Sequence, residues 1–281
     1  MNTTKISRLC LSLVATLALL GFAPLLRADA IYSYTTINDV LGVNGTAAKG
    51  ISGNNIVGNY QDADYNYQGF LYNTTTASFT DLTGPAGAKG SSANGISGST
   101  IVGSYYDSDW MSHGFLYSGG SYTTITDISG VNGTFFQGIY GSSIVGYYKD
   151  ASYNEHGFLY NTNTSSFTDL TGPAGAKTTA AYGIFTNNIV GEYTDSDNGF
   201  HGFLYNGSGY ITIDNPAGTP TSIYGISGNT IVGNYNDTNS NSHVFLYDTT
   251  TAGFTTLSGP SGADTTYAYG ISGDNIVGGY S

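Results

Sequence analysis

Short runs of β-branched and aromatic residues alternate along this chain with clusters of Gly, Asn, Asp, Ser and Pro. No stretch between residues 31 and 281 sustains an apolar period of 3.6. That is how strands bounded by turns read, and it predicts essentially no helix. The tripeptide Ile-Val-Gly returns six times, at Ile56, Ile101, Ile144, Ile189, Ile231 and Ile276, separated by 45, 43, 45, 42 and 45 residues. A period of about 44 residues holding several short strands predicts a β-propeller, most simply of six blades. A β-solenoid, which also buries a repeated face, is the alternative.

Each repeat offers four segments. Segment A is Ile-Val-Gly-x-Tyr, as in Ile56 to Tyr60. Segment B is Gly-Phe-Leu-Tyr, beginning at Gly69, Gly114, Gly157 and Gly202, with Val244 in the last copy. Segment C lies around Phe79, Tyr122, Phe167, Tyr210 and Phe254, and begins at Tyr34. Segment D ends in Gly-Ile, at Gly50, Gly95, Gly138, Gly183, Gly225 and Gly270. The D-to-A connection, Ser52-Gly53-Asn54-Asn55 and its copies, reads as a tight hairpin, and B-to-C is also modest. A-to-B and C-to-D are longer. Successive turns of a meander alternate between its two ends, so the two longer loops share one face, where function is expected. The counts are six of A, C and D but five of B. The missing B belongs between Tyr280 and the C segment near Tyr34; were B outermost, the last blade would simply lack its edge.

The pattern Ile-Val-Gly-x-Tyr-x-Asp, His-Gly-Phe-Leu-Tyr, Phe/Tyr-Thr-x-Leu/Ile, Gly-Ile resembles the HAF-type extracellular repeats of exported bacterial proteins, over essentially all of residues 31–281. Gly114, Gly157, Gly202 and Val244 stand where that family has Ala, and Gln68 stands where its first His would be. The resemblance implies an exported repeat protein and brings no catalytic residues with it.

Export is also read from the first thirty residues. Lys5 and Arg8 precede the apolar run Leu9 to Leu26, and Ala28-Asp29-Ala30 is a small-residue cleavage signal, so residues 1–30 are expected to be a signal peptide outside the fold. A secreted, extracellular or periplasmic product of residues 31–281 follows, with no membrane span after cleavage. It would hold four lysines against sixteen aspartates and two glutamates, a net charge of −14, with no arginine and no cysteine. Nucleic acid and anionic membranes are thereby disfavoured as partners.

His113, His156, His201 and His243 all stand just before segment B. A histidine repeated once per blade is more economically structural than catalytic, its partners the aspartates that close segment A: Asp107, Asp150, Asp195 and Asp237. Alternate-position oxygens at Asp62 and Asp64, Asp107 and Asp109, and Asp195 and Asp197 resemble the opening of calcium loops, without the Gly and distal Glu that complete one. Calcium is thus the one cofactor these residues suggest. Tyr65, Tyr67, Trp110, Tyr153 and Phe200 put aromatic rings beside polar groups in the same loops, a combination suited to sugar faces. Only Glu155 and Glu192 supply glutamate, the aspartates recur in register, and no nucleophile elbow, zinc motif or phosphate loop is present. The sequence therefore points to a secreted non-catalytic module binding polysaccharide or envelope components. A structural or adhesive protein acting on cell-surface proteins is the alternative, and a carbohydrate-active enzyme the remote one.

Overall fold

The computed structural model describes residues 32–38, 41–125, 128, 131–217 and 220–281, together with the backbone of 9–14. Twenty-four strands, β1 (Leu9–Val14) to β24 (Asn275–Tyr280), form six four-stranded antiparallel sheets, and among the described residues there is no helix. In the first complete sheet the order is β3 (Thr46–Ser52), β4 (Asn55–Gln61), β5 (Tyr67–Asn73), β6 (Ser78–Leu82), which is D, A, B, C. The D strands β3, β7 (Gly90–Ser97), β11 (Thr134–Tyr140), β15 (Thr178–Phe185), β19 (Thr221–Ser227) and β23 (Thr266–Ser272) contact one another in succession, and β23 returns to β3. The protein is a closed β-propeller with segment D against the axis; the solenoid is excluded, because each repeat forms its own meandering sheet.

Both glycines copied in each repeat have a steric reason. A Cβ on Gly58, the glycine of Ile-Val-Gly, would lie 2.0 Å from the Ala47 carbonyl oxygen and 2.9 Å from the Phe70 ring. A Cβ on Gly270, the glycine of Gly-Ile, would lie 2.6 Å from the Lys49 carbonyl oxygen on the neighbouring blade. The first glycine lets strands pair within a sheet, and the second lets sheets meet at the axis. Between sheets the core is continuous. Val57 and Leu82 of one blade pack with Ala93, Ile96 and Ile101 of the next, and Val145 does the same with Ile184, Ile189 and Phe203. Phe70, Phe115, Phe158, Phe203 and Phe245 of segment B are fully buried, each worth roughly 1.5–3 kcal/mol of transfer free energy.

The sixth sheet is assembled from both ends of the chain, in the order β23, β24, β1, β2 (Ser33–Ile37). Segment B is the third strand of every blade, not the outermost, so the copy absent from the repeats leaves an interior place rather than a lost edge. Leu9–Val14 fills it, pairing Leu9 with Tyr280 on one side and Leu13 with Tyr34 on the other. This departs from the expectation that nothing before residue 31 enters the fold. The physical reason is the ladder: two facing strand edges each offer unpaired N–H and C=O groups, and an extended segment satisfies both. Residues 1–8 and 15–31, including the Ala28-Asp29-Ala30 signal, lie outside the described residues.

Candidate functional site

Two rings of side chains distinguish the long-loop face, one in the A–B loops and one at the axis. The loop ring is built by aspartate. Asp107 Oδ1 accepts the N–H groups of Asp109 and Met111, both at 2.9 Å, while its carbonyl accepts the N–H of Trp110. Asp107 Oδ2 then receives His113 Nε2 at 2.9 Å. The same clamp recurs as His156 on Asp150 at 3.0 Å, His201 on Asp195 at 3.1 Å and His243 on Asp237 at 3.0 Å. Each imidazole lies against the last tyrosine of segment A, for example Tyr148 against His156 with ring centroids 5.1 Å apart. Gln68 breaks the series: Asp62 keeps its bonds from Asp64 and Asn66, but Gln68 Oε1 is buried without a partner.

Hydrogen bonding sets the charges here. The bond from His113, then that from the Met111 N–H, hold Asp107 below the usual carboxylate pKa. Asp150 and Asp237 are depressed in the same way, by His156 and His243 first. In Asp195 the Gly199 N–H leads and His201 follows. His201 is distinctive because its Nδ1 also reaches Asp214 Oδ2 at 2.8 Å. Burial works against its charge, but the hydrogen bonds to Asp214 and Asp195 outweigh that and raise its pKa.

This geometry places the residues singled out in the sequence. Asp62, Asp107 and Asp195 direct one carboxylate oxygen at two loop N–H groups, so those lone pairs serve the turn, and Asp64, Asp109 and Asp197 follow as turn residues. Tyr65, Trp110 and Tyr153 occupy the loop position with φ of 64°, 62° and 64°, left-handed backbone that bulky residues rarely adopt. Their exposures of 69, 64 and 69% put the rings in solvent rather than over the sheet ends. Phe200, at the start of its strand, is also exposed. Tyr67 alone of the five candidates borders a cavity.

That cavity lies at the axis and was not anticipated. Each D strand carries a one-residue register shift before its glycine, between Ala48 and Gly50, Ala93 and Gly95, Phe136 and Gly138, Ala181 and Gly183, Ile223 and Gly225, and Ala268 and Gly270. A bulge re-aims the extra side chain. The six extra residues are Lys49, Asn94, Gln137, Tyr182, Tyr224 and Tyr269, and with Tyr147 they line a chamber of about 210 Å³. It continues into a mouth of about 350 Å³ among Gln61, Tyr67, Tyr106 and Phe135, at the ends of strands that carry the long loops. Toward the opposite face the glycine and isoleucine rings narrow the passage to about 70 Å³.

The cup is two-sided. Tyr182 and Tyr224 pack with centroids 5.1 Å apart, Tyr224 and Tyr269 at 5.5 Å, and the Tyr182 hydroxyl donates to Glu192 Oε1 at 2.8 Å. Burial, and after it the nearby carboxylates, push the Tyr147, Tyr182 and Tyr224 hydroxyls up, so these groups stay neutral donors. Facing them are the amides of Asn94 and Gln137 and the ammonium of Lys49, whose pKa burial lowers. The sequence did carry a signal for this ring: the position before Gly-Ile changes residue class from blade to blade inside an otherwise copied repeat.

No protein-family model matches the chain, and no curated protein matches it. Solved structures do, at the level of fold. TolB of Agrobacterium tumefaciens superposes with a TM-score of 0.67 at 15% identity, covering 98% of each chain. TolB of Acinetobacter baumannii gives 0.58 at 16% identity over 82% of this chain, which spans only 65% of that protein. The Aleuria aurantia lectin, solved with Fucα1-6GlcNAc, gives 0.55 at 17% identity over 84% of this chain and 88% of the lectin.

Proposed function

We propose that this protein is a non-catalytic, carbohydrate-binding β-propeller that receives its ligand in the axial cup on the long-loop face. One observation carries the reading: a cavity of about 350 Å³ in which aromatic rings (Tyr67, Tyr106, Phe135, Tyr147) alternate with neutral amides and hydroxyls (Asn94, Gln137, Ser92, Ser104). Small-ligand sites are concavities of about 300–1,000 Å³ with apolar walls and a few placed polar groups. A sugar matches that mixture, because its ring carries an apolar face and a hydroxyl edge. The lower end of that size range suits the terminal residue of a glycan rather than a segment threaded through. Lectins among the propellers of similar fold support the class of ligand.

A glycan screen of the purified protein tests this. Saturable binding, weakened at least about tenfold by Gln137→Ala and left near wild type by Trp110→Ala, is the expected result. Binding abolished by Trp110→Ala and indifferent to Gln137→Ala would move the site to the loop tips. The tips favour a second reading, adhesion through protein contacts, because Tyr65, Trp110 and Tyr153 hold their rings outward on strained backbone.

A further inference from the structure

Among the side chains of the cup, Lys49 is the one cation. It borders the chamber, the mouth and the narrow exit alike. Among the described residues, the other lysines with resolved partners spend their charge locally: Lys149 on Glu155 at 3.5 Å, and Lys177 on the Ser196 carbonyl and Asn198. Among the described residues no carboxylate, carbonyl or hydroxyl pairs with Lys49, and burial lowers its pKa. Lys49 is half-buried, and it sets an ammonium on the wall of the cup at the one point of a six-fold repeat where the other blades place Asn, Gln or Tyr. The next two blades along the chain set amides at the same level, Asn94 and Gln137, and Asn94 Nδ2 is already donating to the Phe136 carbonyl at 2.8 Å. Across the chamber, Glu192 takes the Tyr182 hydroxyl, so negative charge is present on the tyrosine side and absent on the lysine side.

We infer that the cup selects an acidic sugar, a uronic-acid-type residue whose carboxylate docks on Lys49 while its ring lies against the tyrosines. The inference rests on the carbohydrate-binding reading above. A carboxylate fits better than a phosphate or sulfate ester. Those groups are met by arginine forks or several cations, and the described residues contain no arginine and, in the cup, a single lysine. One lysine flanked by neutral donors matches one singly charged oxygen pair. The high negative charge of the whole molecule disfavours long polyanions by repulsion, and so points to a single acidic residue at the end of a glycan.

The test compares glucuronate- and galacturonate-terminated oligosaccharides with their carboxyl-reduced, neutral counterparts by calorimetric titration. The wild type, Lys49→Met and, as a surface control, Lys177→Met are titrated in parallel. The expected result is a preference of about tenfold or more for an acidic form, erased by Lys49→Met and kept by Lys177→Met. Equal affinity for acidic and neutral forms would overturn this inference and leave the carbohydrate reading standing. A preference that survives Lys49→Met would overturn the assignment to Lys49. Absence of binding to both forms, together with silence in the wider glycan screen, would overturn the two readings together. Circular dichroism and the melting temperature of Lys49→Met establish that its loss of preference is not a loss of fold.

Discussion

The loop ring and the axis ring lie on the same face of the same propeller and obey opposite rules. In the loops, Asp and His recur in register, and wherever both are present they form the same bond at 2.9–3.1 Å. At the axis the fold repeats its bulge six times, yet the residue placed there runs from Lys49 through Asn94 and Gln137 to three tyrosines. Repetition marks what supports the blades one by one; divergence inside a repeat marks what only one assembled site needs. A propeller can vary its axial residues cheaply because each bulge projects into the axial cavity, whereas the copied glycines have backbone and rings packed against them.

The largest break in that comparison would come from a copied glycine. Gly103→Ala places a Cβ 2.0 Å from the Ser92 carbonyl oxygen and 2.7 Å from the Phe115 ring, so it should cost about 4 kcal/mol or more, read as a failure to fold or a collapse of the urea midpoint. Removing a clamp is expected to be milder. His156→Ala should lower the melting temperature by several degrees, and an unchanged transition would show that the clamp does not stabilise its blade. Conversely, Gln68→His completes the clamp that the first blade lacks and should raise the transition.

The clamps also set a pH profile. The aspartates Asp107, Asp150, Asp195 and Asp237 have depressed folded pKa values, so their stabilisation is present above the ordinary carboxylate value of about 3.9 and is lost as pH falls through the folded values. His201 runs the other way. Its folded pKa is raised, so its contribution is full below about 6.5 and disappears as pH rises through the folded value. Melting curves should therefore weaken below about pH 4, and His201→Gln should remove a decline on the alkaline side of about pH 6.5. If the alkaline limb survives in His201→Gln, another group produces it.

Smaller effects sharpen the contrast. Thr186 has φ of 55° at the turn position filled by Gly53, Gly98, Gly141, Gly228 and Gly273 in the other blades. Thr186→Gly should relieve about 1–2 kcal/mol of left-handed strain, less the added freedom of the unfolded chain. A chelator should leave the melting temperature where it is, since one oxygen of each of Asp62, Asp107 and Asp195 is already taken by two loop N–H groups. A fall in chelator would restore calcium to these loops.

Much of this molecule was legible in the order of its residues. The period of the repeat gave the number of blades, turn parity gave the long-loop face, and spacing alone paired each histidine with the aspartate six residues before it. These are local matters, decided within one hairpin. The candidate binding residues fared differently: Tyr67 reaches the cup, whereas Tyr65, Trp110, Tyr153 and Phe200 stay outside it, because a loop aromatic's direction depends on a single left-handed residue.

By itself, then, the sequence determined the all-β propeller, its hairpins, its buried Phe, Ile and Val, and the vacancy for one strand. Only the tertiary structure decided that segment B is the third strand, that Leu9–Val14 completes the sixth sheet across nearly the length of the chain, and that Lys49 and Tyr269, from neighbouring blades, meet in an axial cup. The reason is that a one-residue bulge reverses which face a side chain takes, and ring closure brings together residues more than two hundred positions apart.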